Sequence, residues 1–174
     1  MQTDNRIVAF TGHRPSKLPN GWDGPHTEVF LFLVKKLLVE NRKQEIERAY
    51  TGGALGWDQI ALEACYQDGI RQTLVEPFPG FWRKWSVKQI EEYMQMKHTY
   101  LNLEGNDEIV HSNPDEDYAP WKLHARNEYM VNRCTELWAW WDGTRKGGTY
   151  QCVKYAHKQG KKIVNVYKEF HGIS

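Results

Sequence analysis

Short, continuously apolar runs alternate with longer helix-patterned stretches from one end of this chain to the other, and that alternation is the strongest constraint on its fold. Ile7-Val8-Ala9-Phe10 and Leu137-Trp138-Ala139-Trp140-Trp141 carry no polar residue on either face, the pattern of strands covered on both sides in a parallel sheet. Arg48 to Thr51, Thr73 to Glu76 and Glu108 to His111 read as further strands, and the segment Lys161 to Tyr167 closes the chain with a final one, Ile163 to Val166. The sequence between them predicts helices. One is apolar over most of its girth from Val29 to Leu38, one carries a small-residue stripe of Ala61, Ala64 and Cys65, one is capped by Ser86, one spans Ala119 to Cys134, and one ends at Gly160. Strand and helix in regular alternation predict an α/β fold with a mostly parallel sheet, helices on both faces and right-handed crossovers. At 174 residues the chain reads as a single domain over 1–174. Pro19 to Pro25 reads as a loop.

In such sheets ligands bind beyond the carboxyl ends of the strands, near the point where strand order reverses. Four loops rich in glycine, proline or cations fall at strand ends. Thr11-Gly12-His13-Arg14 offers a guanidinium and an imidazole for an anion. The stretch with Gly52, Gly53 and Gly56 hands a strand to a helix, the setting in which backbone amides cradle phosphate. Phe81 and Trp82, interleaved with Arg83 and Lys84, have the composition of a base-stacking loop, although tight packing of a proline-rich loop explains them equally well. Asp142-Gly143 leads to Gly147-Gly148-Thr149, a second phosphate-grade helix start. Asp58 reads as a helix cap or first-turn charge complementing the helix dipole, or as a group on a ribose hydroxyl or in proton transfer. Asp58, Asp142 and Arg126 are the candidates for any catalytic step. Lys122 reads as surface charge and Asn113 to Asp117 as a solvated acidic turn.

Lys+Arg 23 against Asp+Glu 22 leaves a formal charge of +1, which argues against nucleic acid as the general partner. Cys65, Cys134 and Cys152 sit in helix-patterned segments without paired spacing, and no secretory signal precedes them. Lys35 and Lys36 break the longest apolar run, Val29 to Val39, short of membrane-spanning length. A soluble, cytoplasmic protein with reduced thiols follows, and the apolar girth of the first helix leaves a homo-oligomeric contact open. The seven histidines lack metal-ligand spacing, so no metal and no resident cofactor is expected.

Gly53-Ala54-Leu55-Gly56-Trp57-Asp58, followed by Ala61, resembles the Gly-x-Ala-x-Gly-Ile-Asp-x-x-Ala signature of the DNA-processing DprA proteins, and Gly147-Gly148-Thr149 resembles the Gly-Gly-x-Gly-Thr loop of the LOG phosphoribohydrolases. Both belong to the Rossmann-like SLOG superfamily. Thr11 to Pro15, the glycine loop, Arg126-Asn127 with Tyr129-Met130-Val131, and Asp142-Gly143 with Gly147-Gly148-Thr149 are similar to its YpsA-like branch. The resemblance implies a pocket for a nucleotide or an ADP-ribose-like nucleotide sugar, used for binding or sensing. N-glycosidic cleavage or transfer, and single-strand DNA binding in the manner of DprA, are the alternatives. The second loop departs from the LOG pattern by lacking its proline and one glycine. Gln151 stands where those enzymes keep a glutamate, which favours binding over hydrolysis.

Overall fold

A computed structural model describes residues 4–19 and 27–174. Six strands form one sheet: β1 (Arg6–Gly12), β2 (Ile46–Thr51), β3 (Gln72–Glu76), β4 (Glu108–His111), β5 (Glu136–Trp140) and β6 (Lys162–Asn165). Their order across the sheet is β4-β3-β2-β1-β5-β6, and every neighbouring pair is parallel. The helices are α1 (Glu28–Lys43), α2 (Trp57–Gln67), α3 (Val87–Tyr100), α4 (Pro120–Arg133), α5 (Gly148–Lys158) and α6 (Val166–Phe170). A short 3-10 turn spans Pro15–Lys17. The loop read at Pro19 to Pro25 lies, beyond Pro19, outside the described residues.

The two most apolar strands are central neighbours, with Phe10 opposite Trp138 and Gly12 opposite Trp140. Strand side chains alternate between faces, so each strand feeds two cores. Val8, Phe10, Trp138 and Trp140 pack under Leu33 and Leu37 of α1 and Trp57, Ile60 and Ala64 of α2. Ala9, Leu137 and Ala139 face the other way, onto Met130 and Val131 of α4 and Cys152, Val153 and Ala156 of α5. Continuous apolarity in these strands is therefore the signature of helices on both faces. A third cluster, Leu62, Leu74, Tyr93 and Leu101, seats α3. Ser86 and Gln89 begin that helix with a reciprocal capping box.

Two sequence readings need correction. The last strand does not run through Val166: the Asn165 side chain accepts from the Lys168 backbone N–H at 3.1 Å and starts α6 at Val166. Lys122 is not surface charge. It is 3% exposed and donates to the carbonyls of Asp115 and Asp117, at 3.0 and 2.5 Å, so it clamps the acidic turn from beneath. A buried ammonium with such partners is the ordinary way to make burial tolerable.

Candidate functional site

From β1 the strand order runs outward through β2, β3 and β4 on one side and through β5 and β6 on the other. The loops leaving β1 and β5 therefore diverge, and a crevice is left between them at the carboxyl edge. It is a cleft of about 600 Å³. Thr11, Gly12, His13 and Arg14 line it from β1, Ala54 and Asp58 from the glycine turn after β2, Arg126 from α4, and Lys146, Gly147, Gly148 and Thr149 from the turn after β5. Three of the four strand-end loops singled out in the sequence thus converge. The fourth does not line it: Phe81 packs edge-on against Phe78, Trp85 and Tyr93, and Trp82 packs against the cluster that seats α3. Their aromatic character serves packing over β3 and is not presented to the cleft.

The turn after β2 is folded onto the protein itself. Arg126, 6% exposed, donates from Nη1 to the Gly52 carbonyl at 2.5 Å and from Nε to Asn127 Oδ1 at 2.8 Å. A β-carbon on Gly52 would fall against the Arg126 guanidinium and the Asp58 carboxylate. Gly56, with φ 94°, lies against the backbone of His13, Arg14 and Pro15. The Gly53 position is closed by the Tyr93 hydroxyl. Gly52, Gly53 and Gly56 therefore admit close approach by protein groups, and only Ala54 and Asp58 of this turn reach the cleft wall. Asp58 does not cap α2. That place belongs to Gly56, and Asp58 Oδ2 instead accepts the Ala54 N–H at 3.2 Å, which fixes the turn. Burial raises the Asp58 carboxyl above its ordinary value, against the pull of Arg126 and of the Ala54 N–H.

The turn after β5 is built the other way. Gly147, φ 90°, precedes α5 without any side-chain cap, and nothing lies within 4 Å of a β-carbon placed on Gly143, Gly147 or Gly148. The first helical bond runs from Gln151 N to the Gly147 carbonyl at 3.1 Å, so the N–H groups of Gly148, Thr149 and Tyr150 precede it and point out of the helix start. This loop is tied to the one after β1 by Asp142, whose carboxylate meets His13 Nε2 at 3.0 Å and Lys17 Nζ at 3.1 Å and accepts the Thr144 N–H at 2.9 Å. Burial opposes ionisation of Asp142, but these partners together outweigh it and hold the carboxyl below its ordinary value. Burial also pushes His13 below its ordinary value, against Asp142. Asp142 thus clasps the two loops together as a carboxylate held below its ordinary value.

Among the described residues, four cations line the cleft, Arg14, Lys17, Arg126 and Lys146, against the single carboxylate of Asp58. Lys17 holds Asp142 and Arg126 holds Gly52. Arg14 and Lys146 make no salt bridge or side-chain hydrogen bond among the described residues, and Arg14 acts on Asp58 only through its field. The sequence reading missed Lys17, Lys146 and His124, and it named Asn127 only as part of the family motif. Pro120, Leu123, His124 and Asn127 line the cleft at helical spacing, a pattern that was legible as one face of α4 but was overshadowed by Arg126. Among the described residues no group of three or more His, Cys, Asp or Glu is placed to hold a metal ion, and no helix is long and apolar enough to cross a membrane.

Comparison with known proteins agrees with this architecture. The SPbeta prophage-derived protein YoqJ of Bacillus subtilis is 29% identical over 152 residues, covering 81% of this chain and 86% of its own. Among solved structures, DprA of Streptococcus pneumoniae superposes with a TM-score of 0.61 at 17% identity. The match takes in 91% of this chain and 49% of that one, so the chain spans about half the length of that DprA. The Moco carrier protein of Chlamydomonas reinhardtii gives 0.53 at 16% identity, with 94% of this chain and 76% of that chain covered. At such identities these structures share the fold. The YspA SLOG family profile (YpsA) matches residues 8–168, nearly the whole chain, and the protein belongs to that family.

Proposed function

We propose that the protein binds an anionic small molecule of the nucleotide or nucleotide-sugar class in the cleft between β1 and β5, and that it binds without rapid N-glycosidic cleavage. One observation carries the reading: the uncapped, sterically open start of α5 faces a cleft in which Arg14 and Lys146 have no acidic partner. Free N–H groups, a helix-dipole end and unpaired cations together form a receptor for phosphate. Leu123 and Pro120 supply apolar wall beside it, as a nucleoside requires. The thermal shift of the protein across a panel of nucleotides, nucleotide sugars and dinucleotides tests this. Stabilisation by at least one of them, lost in the Arg14→Glu/Lys146→Glu double variant, is expected by mass action. A flat panel would remove the reading.

Binding without cleavage follows from the available acids. Asp142 is held ionised by its clasp, and Gln151 is an amide. Asp58 is the exception: its raised carboxyl lines the cleft, which supports a second reading, hydrolysis or transfer at the glycosidic bond with Asp58 as the acid. Release of free base that vanishes in Asp58→Asn would establish that alternative. We extend the main reading to a cytoplasmic protein, supported by three buried, unpaired cysteines. A homo-oligomeric contact through α1 is part of it, supported by the exposure of Leu31, Leu38 and Val39. DprA of Helicobacter pylori, which shares this fold, binds single-stranded DNA. A steep salt dependence of DNA affinity in this protein would bring that function here.

A further inference from the structure

Beside the cleft lies a groove of about 350 Å³ between α4 and α5, lined by His124, Asn127 and Glu128 on one wall and by Gln151, Lys154 and Lys158 on the other. His124 and Asn127 line both spaces, so the two share a wall. The residue spacing on each helix is that of one face, which makes the groove a feature of two rigid elements and not of loops. Both helices begin at the cleft, since Pro120 and Gly148 line it. The groove therefore leads away from the α5 start, and Lys158 lies roughly 10 Å along the helix from Gln151. Neither Lys154 nor Lys158 forms a salt bridge among the described residues, although Glu128 stands on the facing wall.

We infer that the groove is a second subsite for the same ligand, built for a diphosphate-linked sugar arm that extends beyond the nucleotide. The inference rests on the anion site proposed above. Lys154 and Lys158 supply positive charge for the phosphate farther from the nucleoside. Glu128 accepts from sugar hydroxyls, and the Asn127 and Gln151 amides can both donate and accept. A mononucleotide leaves this arm of the space filled with water, whereas a nucleotide sugar covers both.

Calorimetric titration of the full chain with AMP and with ADP-ribose tests the assignment, in the parent and in a Lys154→Glu/Lys158→Glu variant. Both lysines are exposed, so the exchange leaves the fold intact, which the melting of the unliganded variant checks. The parent is expected to bind ADP-ribose more tightly than AMP. The variant should lose roughly tenfold for ADP-ribose, given exposed ion pairs of up to about 1 kcal/mol each, and keep its AMP affinity within about twofold. Equal affinities for the two probes in the parent, or an equal loss for both in the variant, would overturn the subsite while leaving the cleft reading in place. Failure of the parent to bind either probe would overturn the subsite, while the cleft reading stands or falls with the wider nucleotide panel. Dependence on these lysines for a short single-stranded DNA but not for ADP-ribose would replace the sugar arm by a nucleic-acid strand.

Discussion

The turns after β2 and β5 are both glycine-rich and both deliver a strand to a helix, yet they use glycine for opposite ends. At Gly52 and Gly56 the missing side chain is occupied by the protein: a guanidinium and a carboxylate at one, backbone at the other. At Gly147 and Gly148 the missing side chain leaves open space above a helix start. A glycine-rich turn is therefore no ligand site in itself. What decides its use is whether the room it creates faces inward, where packing fills it, or outward, where a solute can.

The sharpest way to break this contrast is Gly56→Val. A β-carbon there meets backbone that cannot swing aside, at a φ of 94° that side chains rarely adopt. A loss of about 3 kcal/mol or more is expected, seen as a lower urea midpoint. A variant melting like the parent would show that the inward turn is as loose as the outward one.

Next in size is Arg126→Met, which leaves the Gly52 carbonyl unpaired and Asp58 buried without its cation, at a cost of about 3 kcal/mol near pH 7. The sign of its pH dependence follows from burial. Asp58, already raised from 3.8, rises further without Arg126, so the folded state holds a proton that the unfolded chain has released. The stability tied to that proton is present at low pH and lost as pH climbs from about 4 through the folded value. The deficit of the variant against the parent should accordingly shrink in mildly acid buffer, and a deficit that stays constant on acidification would count against the hold of Arg126 on Asp58.

Smaller still is Asp142→Asn, at about 1 kcal/mol near pH 7, because the clasp is reached by solvent and screened. Here the folded carboxyl lies below its ordinary 3.8. Its contribution is complete above about pH 4 and is lost as pH falls through the folded value. Parent and variant should therefore converge on acidification in parallel denaturation curves. The smallest effect on stability belongs to Gly148→Ala, within about 0.5 kcal/mol. If the outward turn is the anion site, this substitution nonetheless reduces the ligand-induced thermal shift, and an undiminished shift would move the site elsewhere.

The strands were legible because burial on both faces leaves no polar residue in Ile7 to Phe10 or Leu137 to Trp140, and Ser86 announced α3 at the level of a single side chain. The α6 start was legible in principle, since Asn165 is a good cap, but the apolar Ile163 to Val166 run overrode it. Two features had no local signal. Arg126 reaches Gly52 across 74 residues, and which way a glycine turn opens depends on neighbours that arrive from α3, α4 and β1. Phe81 and Trp82 have the composition of a stacking loop, and only tertiary packing shows that their neighbours are Phe78, Trp85 and Tyr93.

The neighbour of β1 across the cleft comes late. Arg6 and Glu136, which join the near ends of β1 and β5, are 130 positions apart, so a ribosome working at 5–20 residues per second needs roughly ten seconds to supply the second after the first. Throughout that interval the most apolar strand of the nascent chain has one edge without its partner, an invitation to pairing with other chains. Production of this protein should therefore be limited by events on the ribosome and by chaperone supply, and cooler, slower growth during expression should raise the folded yield.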